Sequence, residues 1–454
     1  YLLQRRYALS FLFMLLILQP TLAQVQTPEM YARFDKKTRT LTFYYNTNKQ
    51  SGDFEIKNQS TPTWDKEKYN IRIVNFDESF KNARPKKCEG WFKEFRLLET
   101  INNLKYLNTS EVVSMRSMFE NCRYLKSLDL SSFDTKNVED MSCMFKGCER
   151  LETIYVGDGF DAFYVGQSVD MFKNCKNING AYKYRDDSTD KYEANWYGYF
   201  RKKVGMNGDE PIGAVDNPLK IKYPLSLSDS KAFELYENCK VTSASYKRSM
   251  KSEWGTLCLP FTIDITYWSN TCNFYTLKNI GNESVVLMLI ENGTVEAGQP
   301  VVIRNKDNTK TDISISSVNN TQVVKEPKNT NTGNRMMGTF TNMELNDDCY
   351  FIANNQFRLV SSYKPATSGV KLAAFRAYIQ PQKTNVKHAP SLNISVNDET
   401  TGIETSNVID LLNDAEAEYY DVNGRRIQNL QKGINIIKKG NKTLNHSAVF
   451  SVKK

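Results

Sequence analysis

A phrase of apolar residues returns at a nearly fixed interval, and this periodicity limits the chain more than any other feature. Met115-x-x-Met118-Phe119-x-x-Cys122-x-x-Leu125 recurs 26 residues later as Met141-x-x-Met144-Phe145-x-x-Cys148-x-x-Leu151. A shortened form, Met171-Phe172-x-x-Cys175-x-x-Ile178, follows after 27 more. Such a period marks stacked supersecondary units, none of which buries its apolar side alone. Stacks of this kind build surfaces that touch other molecules more often than reaction centres. The spacing of three to four in Met-x-x-Met-Phe-x-x-Cys predicts a helical or 3-10 turn with one buried side. Met118, Phe119, Cys122, Leu125, Met144, Phe145, Cys148, Leu151, Met171, Phe172 and Cys175 are therefore structural repeat positions. Leu125-x-x-Leu128-Asp129-Leu130 and Leu151-x-x-Ile154-Tyr155-Val156 read as short strands lying side by side in a parallel sheet. Their alternation turns the leucines inward and leaves Ser127, Asp129, Thr153 and Tyr155 on the outer face. These four are the candidate binding residues, with Tyr155 as the best anchor because an aromatic ring offers large area with few torsions to freeze.

The rest of the chain predicts a mainly β, multidomain protein. Residues 1–23 have the layout of a signal peptide: Arg5 and Arg6, an apolar core from Ala8 to Leu18, Pro20, and small residues near Ala23. Residues 24–84 read as a β N-terminal cap over the open end of the stack, with a hairpin over Tyr31–Asn46 and a strand over Ile71–Phe76. The leucine-rich-repeat-like solenoid occupies 85–204. Gly205, Gly208, Pro211, Gly213 and Pro218 mark a linker over 205–219. Short Val/Ile/Phe/Tyr runs between Asn/Gly/Asp turns predict a β-sandwich-like domain, or a small barrel, over 220–395. Residues 396–454 form a second linker and a small C-terminal β domain, in which Asn423-Gly424 between apolar runs predicts a hairpin.

Composition narrows function mainly by exclusion. The formal charge of +9, or +7 without Arg5 and Arg6, is spread out. No run of five or six basic residues occurs, so nucleic acid is not an expected partner. No segment after the first 23 residues is long and apolar enough to span a membrane. The chain holds nine cysteines and two histidines, His388 and His446. Cys122, Cys148 and Cys175 share one repeat position and read as small buried hydrophobes, whereas Cys88, Cys239, Cys258, Cys272 and Cys349 leave a bridge open. No Cys-x-x-Cys pair, His-Glu-x-x-His, Gly-x-Ser-x-Gly or phosphate loop is present, so no enzyme, metal or cofactor is expected.

Two resemblances add to this reading. Asn137-Val138-x-x-Met141-x-x-Met144-Phe145-x-Gly147-Cys148-x-x-Leu151, preceded by Leu128-Asp129-Leu130-Ser131-Ser132-Phe133-Asp134-Thr135, resembles the BspA-like leucine-rich-repeat family of bacterial surface proteins. The lead-in Phe76-Asp77-x-Ser79-Phe80-x-x-Ala83-Arg84-Pro85 is similar to the segment that often precedes those repeats. The tail Tyr420-Asp421-Val422-Asn423-Gly424-Arg425-Arg426-Ile427 with Lys432–Ile437 resembles the C-terminal sorting domain of type IX secretion substrates. Together they imply a secreted or outer-membrane-attached cell-surface protein of a Gram-negative bacterium. Its expected role is adhesion or protein binding to a host matrix or bacterial surface protein. A polysaccharide bound by the central β domain is the alternative, and a secreted hydrolase stands third.

Overall fold

A computed structural model describes residues 27–397 except 58–60, 251, 269–270, 307–311, 330–334, 364–368 and 382–388, and the backbone of 418–421, 425–427, 435–439 and 442–444. The signal-like segment 1–23, the turn residues Asn423 and Gly424, and the final run Ala448–Val452 lie outside the described residues. The chain is mainly β, in several sheets, and divides into two compact units, 1–202 and 203–454.

In the first unit, β1 (Glu29–Asp35) and β2 (Thr40–Asn46) form an antiparallel hairpin. β3 (Phe54–Glu55) pairs with the free side of β1. β4 (Ile73–Phe76) lies parallel to β2, and β5 (Thr100–Asn102) lies parallel to β4. β6 (Ser127–Leu130) and β7 (Thr153–Val156) form a second parallel pair, and β7 pairs in turn with the start of β8 (Phe200–Asn207). One hydrophobic core runs from Ala32 to Phe200. Phe43 stacks on Phe76 at 4.7 Å and on Trp91 at 5.3 Å, and the buried indole of Trp64 donates to Trp91 O at 2.8 Å. The expected division at 84/85 therefore passes through a continuous core, because the large aromatics of both segments interdigitate.

The return side of the repeats differs from the helical or 3-10 turn expected. It is a run of tight turns. Met118 N, Cys122 N and Leu125 N bond to the carbonyls three residues earlier. The N–H groups of Met115, Ser117, Phe119 and Asn121 instead reach the next repeat, at Asp140, Ser142, Met144 and Lys146. Met141, Cys143, Phe145 and Gly147 repeat the pattern toward Gln167, Val169, Met171 and Lys173. A helix would consume every one of these donors internally. Aiming alternate donors outward requires left-handed backbone, and φ is positive at Gly90 and Glu94, Ser117 and Asn121, Cys143 and Gly147, and Asp170 and Asn174. Helical and turn returns share the three-to-four apolar spacing, which is why the sequence pattern does not separate them.

The segment 205–219 is not a linker. β8 continues through Gly205 to Asn207, and Glu210–Ala214 forms the next strand, with Ile212 and Ala214 fully buried. Gly208 takes the turn at φ +64°, and a side chain at Gly205 would collide with the backbone of Glu234. These glycines serve close strand packing, not flexibility.

The second unit is built on a nine-stranded sheet in the order 254–257, 301–305, 272–280, 284–290, 391–397, 356–359, 350–353, 376–380, 335–339. Cys258 N donates to Phe375 O at 3.1 Å and Thr256 Oγ1 to Ala377 O at 2.7 Å, so the first strand comes back against the eighth. The result is a nearly closed, barrel-like sheet, nearer the small barrel than the sandwich-like domain of the two forms that the sequence leaves open. Two three-stranded sheets flank it, 220–221/239–241/321–323 and 225–228/244–249/312–316. Arg376 on the curled sheet donates to Asp229 and to the Tyr246 hydroxyl, fastening the second of these. Near the C-terminus, Glu418–Asp421 pairs antiparallel with Arg426–Ile427 and with Asn435–Lys439.

Candidate functional site

The buried ladders place the outer face of β6 and β7. Thiols of Cys122, Cys148 and Cys175 donate to the carbonyls of Phe92, Phe119 and Phe145 in the preceding repeat, at 3.1, 3.0 and 2.9 Å. Phe92, Phe119, Phe145 and Phe172 stack in one column at 5.3, 5.8 and 5.4 Å. Met118, Met144 and Met171 are fully buried, as are Leu125 and Leu151. Burial pushes the Cys148 thiol up to about 12, and Cys122 and Cys175 well above the ordinary thiol range. All nine cysteines are free thiols, including the five for which a bridge was open, and Cys143 is the one among them that is only half-buried.

With Leu128, Leu130, Ile154 and Val156 turned into this core, the register sets Ser127 opposite Thr153 and Asp129 opposite Tyr155. Tyr155 in turn lies opposite Arg201. Ser127 is exposed, and Asp129, Thr153 and Tyr155 are half-exposed. Asp129 also has a local task, since its Oδ1 accepts from Ser131 N at 3.1 Å and ends the strand.

Beside Thr153 the surface dips into a cleft of about 500 Å³. Lys176, Asn177, Lys183 and Arg201 line it together with Thr153 and Glu152. Asn179 N donates to Glu152 O at 2.9 Å, and Asn179 bridges to Lys183, which fixes this wall against the repeats. Arg201 is oriented by Nε and Nη2 bonds to Asn179 O at 3.2 and 2.9 Å. Lys176 and Lys183 are exposed and have no ion-pair partner among the described residues. Three cations against one carboxylate make the cleft electropositive. The strand alternation marks Thr153 but not Lys176, an unmarked position between Cys175 and Ile178 of the last repeat, nor Lys183 and Arg201, which come from the non-repeating segment after it. Among the described residues no group of three or more His, Cys, Asp or Glu side chains is placed to hold a metal ion, and no helix is long and apolar enough to cross a membrane.

Fold and site together define a mainly β protein whose repeats present a parallel-strand face with a basic cleft at its side. Residues 86–199, which span those repeats and the cleft wall at 176–183, match the family model described as "Mycoplasma protein of unknown function, DUF285". No curated protein matches the chain, and no solved structure does.

Proposed function

We propose that this chain is an exported interaction protein that binds a protein partner through the outer face of β6–β8 and the adjoining basic cleft. The observation that carries the reading is the lateral row Asp129–Tyr155–Arg201 beside Lys176 and Lys183, which have no ion-pair partner among the described residues. An aromatic anchor among polar groups suits the centre of a contact. The cations give the approaching partner a sign: it presents an acidic segment. The resemblance of the repeats to BspA-like surface proteins and of the tail to type IX sorting domains supports a short solenoid displayed at a Gram-negative cell surface, with a host matrix protein or a neighbouring cell's surface protein as partner.

The test is surface plasmon resonance of the full chain against fibronectin, laminin, collagen and intact bacterial cells at several salt concentrations. Saturable, salt-weakened binding that falls at least tenfold in Lys176→Glu/Lys183→Glu and in Tyr155→Ala supports the reading; tenfold is about 1.4 kcal/mol. Binding to none of them, or binding indifferent to both variants, defeats it.

A further inference from the structure

We propose that the shallow cleft beside Trp268 in the second unit binds a sugar ring of a neutral oligosaccharide. The inference stands apart from the strand-face reading, since it uses different residues and a different ligand. The cleft, about 370 Å³, is lined by Asp264, Tyr267, Trp268, Ser316 and Asn319 among others, at the small end of ligand clefts, which run about 300–1,000 Å³.

Local structure explains how two adjacent aromatics come to face it. The short strand Ile263–Asp264 runs directly into a single 3-10 turn, Ile265–Trp268. Ile265 N donates to Gly293 O at 3.1 Å and Thr271 N to Trp268 O at 2.8 Å, so the turn is held at both ends. Ile265 is buried, and Trp268 packs its inner edge on the core of the second unit. Across from it, Val318 N donates to Thr262 O at 3.1 Å and Ser317 N to Ala244 O at 2.8 Å, which sets 316–319 as the opposite wall. Both walls are thus fixed by backbone, and the cleft is formed before any ligand arrives.

The side chains are left with capacity that the fold does not use. Tyr267 is 81% exposed, so its ring is open to being covered by a ligand. Among the described residues the Trp268 indole N–H, the Ser316 hydroxyl and the Asn319 amide have no hydrogen-bond partner. Asp264 Oδ1 accepts from the Thr266 hydroxyl and, at 3.0 Å, from Thr266 N. Those bonds hold the carboxyl below its ordinary range, and Oδ2 is left without a partner among the described residues. A sugar ring matches this set. Its C–H face covers an aromatic plane, and its rim of hydroxyls both donates to a carboxylate and accepts from indole, amide and hydroxyl donors. One carboxylate and no cation in the lining repel an anionic ligand. An ammonium group would leave the three donors unanswered, so a neutral polyol fits better than a cation. Aromatic side chains also bind at low entropic cost, having two torsions each.

The test is isothermal titration of the full chain with malto-, cello-, xylo- and mannohexaose, and with tetramethylammonium chloride and tetralysine as cationic probes. At least one hexaose is expected to bind saturably. Tyr267→Ala and Asp264→Asn are each expected to weaken it about tenfold, the loss of one well-placed contact, with the circular dichroism spectrum unchanged. Trp268→Ala should abolish binding, and because it touches the core the Tyr267 and Asp264 variants carry the decision if it unfolds. No binding by any hexaose, hexaose binding that both of those variants leave intact, or binding of the cationic probes in place of the sugars would each overturn the assignment.

Discussion

Replacing Ser117 by glycine separates stacked turns from a helix, because the two architectures give opposite signs. Ser117 sits at φ +54° with its N–H donating to Ser142 O at 2.9 Å. Its side chain is buried, and its hydroxyl makes no hydrogen bond among the described residues. Left-handed backbone costs a residue with a Cβ about 1–2 kcal/mol, a cost that glycine avoids. Glycine in turn adds unfolded-chain freedom worth about 0.4–1 kcal/mol. Ser117→Gly should therefore stabilise the first unit by about 0.5–1 kcal/mol. In a helical return the same change would destabilise by about 0.5–1 kcal/mol. Gly147→Ala is the mirror experiment: φ is +73°, the new methyl would meet Asn121 Oδ1, and a loss of about 1–2 kcal/mol or more follows. Urea unfolding of the full chain, followed through the buried Trp64 and Trp91, reads both. A Ser117→Gly variant weaker than the parent, beside a neutral Gly147→Ala, would refute the turn ladder.

Three further outcomes are open to measurement. Phe145 is fully buried between Phe119 and Phe172 and meets Phe200 edge-on, so Phe145→Ala should cost about 3–5 kcal/mol in the same unfolding assay and Phe145→Leu less than half of that. Stability should be flat in pH from 7 to 8 and fall above about 9. There the unfolded thiols ionise while Cys148, raised to about 12, keeps its proton, and each such thiol contributes a slope of up to ~1.4 kcal/mol per pH unit. Cys148→Ala should lessen that slope, and an unchanged alkaline profile would argue against the buried thiol column. In the second unit Arg376→Met should cost about 1–3 kcal/mol, because it leaves half-buried Asp229 and the buried Tyr246 hydroxyl without their guanidinium; a loss below ~1 kcal/mol would show the pair to be solvent-screened.

The repeat period and the alternation in Leu128-Asp129-Leu130 and Ile154-Tyr155-Val156 were legible because both are local, and both survive as the inward and outward sides of β6 and β7. The left-handed turns went unread: Asn121, Gly147 and Asn174 are residue types that favour such backbone, but Glu94, Ser117 and Cys143 occupy equivalent positions and carry no such mark. Gly205, Gly208 and Gly213 read as a linker because glycine serves flexibility and close packing alike, and only the neighbouring strand Phe233–Leu235 distinguishes the two. The basic cleft was hidden for another reason. Thr153, Lys176, Lys183 and Arg201 are brought together by chain pairing across dozens of residues, with no spacing to betray it. The curled sheet of the second unit has the same origin, since strands 284–290 and 391–397 pair in parallel across a hundred positions.

Hydrogen–deuterium exchange of the full chain, alone and saturated with whichever matrix protein it binds, locates the contact on the chain. Protection concentrated in 127–131, 153–157, 176–183 and 199–202, and sensitive to Lys176→Glu/Lys183→Glu, is the result expected of a partner seated on the strand face and its basic cleft. Protection confined to the second unit, or spread evenly with none at those segments, would contradict it.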